Sequence, residues 1–258
     1  MSDRSAERPI VGVDGCKGGW IAVSQNGAGR TACRIHATFE ALIASYPPDA
    51  IIAVDMPIGL PDRIGRAGRG PEALARKHLD ERQSSVFAIP SRPAVNAATD
   101  SFTTLEKWYE DHRKASEVAR ETSDPPRGVS IQAFALFPKI REIDALLRTR
   151  PELRARVIES HPEAAFWRLN GEHAMTLPKK VKGRVNPAGM VERQTLLAAC
   201  GLDPAFLQER CPVGSGADDF LDACAMLLVA ARYARGEARS FPEAPTTDSH
   251  DIPIAIWT

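Results

Sequence analysis

The first fifty-five residues constrain the fold more than any other part of this chain. Pro9-Ile-Val-Gly-Val13 is a short β-type run, Asp14-Gly15-Cys16-Lys17-Gly18-Gly19 punctuates it, and Trp20-Ile-Ala-Val-Ser24 resumes as a second strand. Asn26-Gly27-Ala28-Gly29 makes a further turn, after which Thr31–Ala37 returns with Cys33 and Ile35 alternating against Arg34 and His36. Three antiparallel strands are expected. Phe39–Tyr46 then has helical spacing and Pro47-Pro48 stops it. Ala50-Ile-Ile-Ala-Val54 is a continuous apolar run ending in Asp55, which reads as a buried parallel strand reached by a helical crossover.

A three-strand meander, a helix and a fourth strand reached by a crossover is the order of the ribonuclease H-like α/β fold. The expectation is a five-stranded mixed sheet flanked by helices, three antiparallel strands followed by parallel ones, in a single domain over 1–258. Residues 57–156 change in character: Pro57, Pro61 and Gly65–Gly70 read as loop, and helical patterns follow at Pro71–Leu79, Thr103–Arg120 and Ser130–Arg148. Strand-like sequence returns at Arg156–Ser160, so 57–156 reads as a helical insertion between strands four and five. Helices are expected at Pro162–Leu169, Pro187–Ala199, Pro204–Cys211 and Asp218–Arg235, the last apolar almost all round and therefore buried. The tail after Gly236 is rich in proline, and Ile252–Trp257 reads as an extra edge strand or a docked terminus.

Composition narrows the class. With 43% hydrophobic and 26% charged residues the chain supports a core and is not a disordered polymer. Its 33 basic side chains balance 33 acidic ones, so recognition of a charged partner must come from local asymmetry. Met1–Arg8 lacks the apolar segment of a leader and no apolar run reaches the roughly 18–20 residues of a membrane span, so no membrane partner and a cytoplasmic location are expected. Five dispersed cysteines without a C-x-x-C pair read as reduced thiols.

The strand order places Asp14, at the end of strand one, beside Asp55, at the end of strand four, on the edge where open α/β sheets carry their sites. Each has a plainer reading, Asp14 as the opening of a turn and Asp55 as a loop cap; together they form an acidic pair that needs a cation or a proton. Asp219 and Asp222 share a helical face after Gly214-Ser-Gly216, and Asp222 lies inside an apolar helix where an unpaired charge is costly. Asp218 reads as an N-cap. In Glu159-Ser-His161-Pro-Glu163, Glu159 is a candidate for the acidic edge and His161 for proton transfer, against a purely structural reading of both. Such a site, rich in oxygen and free of Cys and His pairs, suits Mg²⁺ or Mn²⁺.

These residues resemble an uncharacterised bacterial and archaeal family of predicted ribonuclease H-like nucleases. The resemblance rests on Val11-Gly-Val-Asp-Gly-Cys-Lys-Gly-Gly-Trp-Ile-Ala-Val23, Val54-Asp-Met-Pro-Ile-Gly-Leu-Pro61, Val86-Phe-Ala-Ile-Pro-Ser-Arg92, Glu159-Ser-His-Pro-Glu163 and Asp218-Asp-Phe-Leu-Asp-Ala223. The last segment is also similar to the end of Holliday-junction resolvases, where an Asp-x-x-Asp pair completes a site begun by a strand-one Asp; Asp219 and Asp222 match it. Those enzymes carry Glu where this chain has Asp55, a shorter side chain that shifts a metal or admits a bridging water. The resemblance implies two-metal hydrolysis of nucleic acid phosphodiesters, with Asp14 bridging the ions and Asp55, Asp222, Asp219 and Glu159 available to their shells. Lys17 and Arg92 would hold the phosphate or its developing charge.

Two basic clusters, Arg63, Arg66, Arg69, Arg76, Lys77 and Arg82 in one and Lys179, Lys180, Lys182 and Arg184 in the other, read as phosphate tracks or as solvated surface. Dinucleotide, Walker A, nucleophile-elbow and H-E-x-x-H patterns are absent. Three readings remain: a metal-dependent nuclease, an actin-like phosphotransferase, and a non-catalytic module binding nucleic acid, nucleotide or protein. DNA, RNA, branched and small phosphodiester substrates all stay open, as does a homodimer.

Overall fold

A computed structural model describes residues 8–98 and 103–258. The leader-free reading of Met1–Arg8 rests on residues 1–7, which lie outside the described residues. The turns at 17–18 and 26–30 fold the chain into an antiparallel meander of β1 (Ile10–Cys16), β2 (Gly19–Gln25) and β3 (Thr31–His36). Helix α1 (Phe39–Ala44), whose N-cap Thr38 accepts from the Ala41 N–H, then crosses to β4 (Ile51–Asp55), parallel to β1. Helices α2 (Pro71–Arg76), α3 (Arg92–Val95), α4 (Leu105–Glu121) and α5 (Ile131–Thr149) precede β5 (Val157–Ser160), parallel to β4. After it come α6 (Pro162–Leu169), a two-stranded hairpin of β6 (Lys180–Val181) and β7 (Arg184–Val185), α7 (Pro187–Ala199), α8 (Pro204–Leu207) and α9 (Ala217–Ala234). The chain finishes in β8 (Ser240–Thr247) and β9 (Pro253–Trp257).

The main sheet has seven strands in the order β3-β2-β1-β4-β5-β9-β8, not the five expected. β9 pairs parallel to β5, Ser160 with Trp257, and is an interior strand with Ile254, Ala255 and Ile256 buried. The edge is β8. Pro242 and Pro245 make β8 read as loop, yet an edge strand with an irregular register between Phe241 and Thr246 tolerates the missing N–H groups.

Two apolar layers cover the sheet. Val11, Val13, Ile52 and Val54 face α1 and α5, packing with Phe39, Leu42, Phe137 and Ile140. Ile21, Val23, Ile51 and Ala53 face α9, packing with α6 to α8 around Phe166, Leu197 and Phe206. The 57–156 segment therefore does more than decorate the sheet, since α5 supplies much of one layer. Among the described residues no helix is long and apolar enough to cross a membrane. The cysteines are free thiols.

Helix α9 lies directly on β1 because residue 12 is glycine. A Cβ there would sit 2.0 Å from the Leu227 backbone nitrogen and 2.1 Å from the Ala223 carbonyl oxygen. Neither atom belongs to a flexible side chain, so only movement of the helix could relieve the clash. Gly12→Ala is expected to lower stability by about 3 kcal/mol, an overpacking cost, measured by urea unfolding.

Candidate metal centre

Strand register brings the first two acids together. β1 and β4 pair as far as Val13 with Val54, so Asp14 and Asp55 follow side by side where that pairing ends; Asp14, expected at the end of its strand, still pairs with Ile21 two residues before β1 finishes, and Asp55 with Ser160. Pleating turns both toward the α9 face, the side of Gly12 and Ala53. Asp222, in the second turn of α9, completes the group: one carboxylate oxygen of each of Asp14, Asp55 and Asp222 lies within 4.8 Å of the others. Asp14 is 7% exposed and Asp222 only 1%.

Three acids in so small a space hold their protons tightly. Burial, then the charges of Asp55 and Asp222, raise the Asp14 carboxyl far above the usual range. Burial and the Asp222 charge push Asp55 up to about 8, opposed in part by Lys179 and by a hydrogen bond with Asp14. Burial also raises Asp222, although Lys179 opposes it. The Lys179 ammonium forms an ion pair with Asp222 Oδ2, and the neighbouring acids raise its own proton affinity despite burial. Asp222 Oδ1 is buried with no hydrogen-bond partner. An orphaned carboxylate oxygen beside two further carboxylates is a donor set that can hold a metal ion.

Other expected site residues lie around this group in different roles. Glu159 pairs with Val54, so the pleat turns it away from the Asp14–Asp55 face. Its carboxylate accepts from the Ile58 N–H at 2.7 Å and binds Arg69 at 2.6 Å, and burial still lifts it to about 7. Asp219 accepts from the Gly216 N–H at 2.8 Å and caps α9. Asp218, read as the cap, instead pairs with Lys180. His161 caps α6: its Nδ1 accepts from the Glu163 N–H at 3.2 Å, so the proton of the neutral ring sits on Nε2, toward the Ser85 carbonyl. Burial lowers its pKa to about 4, so at neutral pH it has no second proton to donate.

Arg92 is a correction. It is buried between Asp144, at 2.9 Å, and Asp248, outside the cavity that holds the acids, so two carboxylates already satisfy the guanidinium. Lys17 is exposed in the β1–β2 turn and also lies off that cavity. Arg69, counted with the surface cations, is buried between Glu72 and Glu159.

The acids form the floor of a cavity of about 440 Å³. Two cations that were not singled out for the site line it. Lys179 is held in place by α7: Asn186 donates to the Pro178 carbonyl, Glu192 accepts from the N–H groups of Thr176 and Leu177, and Arg193 donates to the Leu177 carbonyl. Its only sequence signal was membership of a basic run. Lys139, on α5, lies over the Trp20 ring at 4.4 Å and donates to the Gly19 carbonyl. Burial lowers its pKa.

A family model described as "Protein of unknown function (DUF429)" matches residues 12–247. No curated protein and no solved structure matches the chain.

A carboxyl that holds its proton more tightly folded than unfolded stabilises the fold at low pH and loses that effect as pH rises, here from the ordinary carboxylate range through about 8 for Asp55. Without divalent metal, wild-type stability is expected to fall from pH 6 to 8.5 by at least about 1.4 kcal/mol more than that of Asp55→Asn, the worth of one pH unit for one proton. Urea unfolding across a pH series reads the difference. Millimolar Mn²⁺ or Mg²⁺ should raise the wild-type melting temperature at pH 8 and leave Asp222→Asn unmoved.

Proposed function

We propose that this chain, which belongs to the DUF429 family of proteins of unknown function, is a Mg²⁺- or Mn²⁺-dependent nuclease with a ribonuclease H-like fold. The observation that carries the reading is the convergence of Asp14, Asp55 and Asp222, three segments distant in sequence, with Asp222 Oδ1 buried and unpartnered. The strand order β3-β2-β1-β4-β5 supports the fold assignment, with β9 and β8 added beyond β5. Of the metals compatible with carboxylates, Mg²⁺ and Mn²⁺ suit an all-oxygen set.

A divalent ion held by Asp14, Asp55 and Asp222 would neutralise their charge, stabilise charge developing on a phosphodiester and acidify a water. Among the described residues this is the one group of three such ligands, and these are the side chains that would hold the ions of a two-metal reaction. Lys179 serves both states of the site. Its ammonium offsets Asp222 while the acids are otherwise uncompensated, and it turns to the substrate phosphate once another cation takes that role. Lys180, at the rim and paired with Asp218, draws an anionic strand toward the floor. His161, neutral and fixed at the start of α6, shapes the wall and leaves proton transfer to water and the acids.

The Lys179–Asp222 pair is also what a non-catalytic binding module would retain. An actin-like phosphotransferase places its nucleotide between duplicated domains, and the described residues contain one large sheet and one small hairpin.

Hydrolysis of labelled DNA, RNA and branched substrates with Mn²⁺ or Mg²⁺ separates these readings. Asp14→Asn and Asp222→Asn should each lower turnover by at least about 10²-fold, in the range found when one transition-state stabiliser is removed. Lys179→Met should lower turnover about tenfold or more while Mn²⁺ binding, read by calorimetry, is retained or tightened. Turnover unchanged in both Asp variants would remove the site from the reaction, and absence of both hydrolysis and ion binding would favour the module.

A further inference from the structure

We infer that the cavity above the acids takes one nucleotide unit, phosphate at the floor and base against the apolar wall, so that the substrate is an unpaired strand or a short oligonucleotide and not a duplex. This rests on the nuclease reading above and adds the substrate class.

The first ground is depth. The scissile phosphate must reach Asp14, 7% exposed, and Asp222, 1% exposed, beside the half-buried Asp55. Leu136 and Lys139 of α5 and the segment Ser85, Val86 and Phe87 line the same cavity as the acids. A duplex presents its phosphates on a broad convex surface with its bases stacked inside, whereas an unpaired strand can lower one phosphate and its base together into a recess, as enzymes that take a single nucleotide into a pocket require. The volume, about 440 Å³, falls among pockets for small ligands, roughly 300–1,000 Å³.

The second ground is the division of the wall by chemistry. Asp14, Asp55, Asp222, Lys179 and Lys180 make one part ionic, while Met56, Val86, Phe87, Ile89 and Leu136 make another part apolar. Phe87 and Leu136 are only partly buried, packed against the core on one side and open to the cavity on the other. A nucleotide has the same division, an anionic phosphate joined to a flat, largely apolar base. Aromatic side chains hold unpaired bases of any sequence by their π-faces.

The third ground is the fate of the first basic cluster. Arg69 is buried by Glu72 and Glu159, Arg76 donates to the Val86 carbonyl, and Arg82 pairs with Glu81. Half of that cluster is thereby engaged within the protein, and the chain as a whole carries no net charge. The half of that cluster left at the surface is short for the phosphate track a duplex follows, whereas Lys179 and Lys180, paired with Asp222 and Asp218, lie beside the cavity and would meet one or two phosphates once those acids have another cation.

The test compares kcat/KM with Mn²⁺ on a single-stranded oligonucleotide, the same sequence as a blunt duplex, and deoxy- and ribo-dinucleotides. Wild type, Asp14→Asn, Phe87→Ala and Leu136→Ala are used, each checked for folding by thermal melting. The single strand and a dinucleotide should be cut at least tenfold more efficiently than the duplex. Phe87→Ala and Leu136→Ala should each raise KM for the dinucleotide about tenfold, a typical loss for one stacking or apolar contact, with kcat within about threefold of wild type. If either variant fails to fold, the other and the strand comparison still decide. Duplex cleavage as efficient as single-strand cleavage, abolished by Asp14→Asn, would overturn the inference and leave the nuclease reading standing. No hydrolysis sensitive to Asp14→Asn on any substrate would overturn both.

Discussion

The contact between the α9 backbone and Gly12 governs the rest of the molecule. Helix and strand touch main chain to main chain, with no room for a single methyl at residue 12. That closeness sets how far Asp222 stands from Asp14 and Asp55. A helix pushed outward by a side chain would carry Asp222 away from the strand ends, and the three carboxylates would no longer share one small space. The loop before α9 is fixed by the same end of the sheet, since the Gly18 N–H in the β1–β2 turn donates to the Gly214 carbonyl at 2.8 Å.

The consequence of that packing is electrostatic. Buried carboxylates in mutual contact are stable only when protonated or paired with a cation, because neither water nor distance separates their charges. Lys179 meets part of this need at Asp222 Oδ2 and leaves Oδ1 unmet. Lys179, just before β6, keeps part of its side chain open to the cavity, unlike Arg69 and Arg193, which are enclosed with Glu159 and Glu163 and serve the scaffold. The same molecule thus contains two kinds of buried ion pair. One kind, arginine with glutamate, holds the strand ends and α6 in place; the other, lysine with aspartate, sits within the cluster of three acids.

Much of the fold was legible because local chemistry and tertiary structure agree. Glycine-rich turns and alternating strands mark β1 to β3, and the apolar run ending at Asp55 marks β4. Helices α2, α4 and α5 begin at a proline or at the caps Thr104 and Ser130 as their sequence suggests, whereas the short α3 falls in a stretch without helical spacing. β8 was hidden, since two prolines argue against a strand unless it lies at an edge. At the site, Asp14, Asp55 and Asp222 were legible as acids at strand ends and in an apolar helix. Glu159 read as their equal because a one-dimensional pattern puts it at a strand end without saying which face the pleat presents.

The sequence by itself determined the meander, the crossover, the helical segments and the excess of acid at their ends, because turns, periodicity and an unpaired charge in an apolar run are local properties. Only the tertiary structure decided the partners: that Asp222 joins Asp14 and Asp55 while Asp219 caps a helix, that Arg92 and Arg69 are enclosed by carboxylates, and that Lys179 reaches the acids from the segment before β6. Each of those outcomes depends on distances across the fold, set by strand register and by how near a helix can approach a glycine, and no spacing along the chain encodes them.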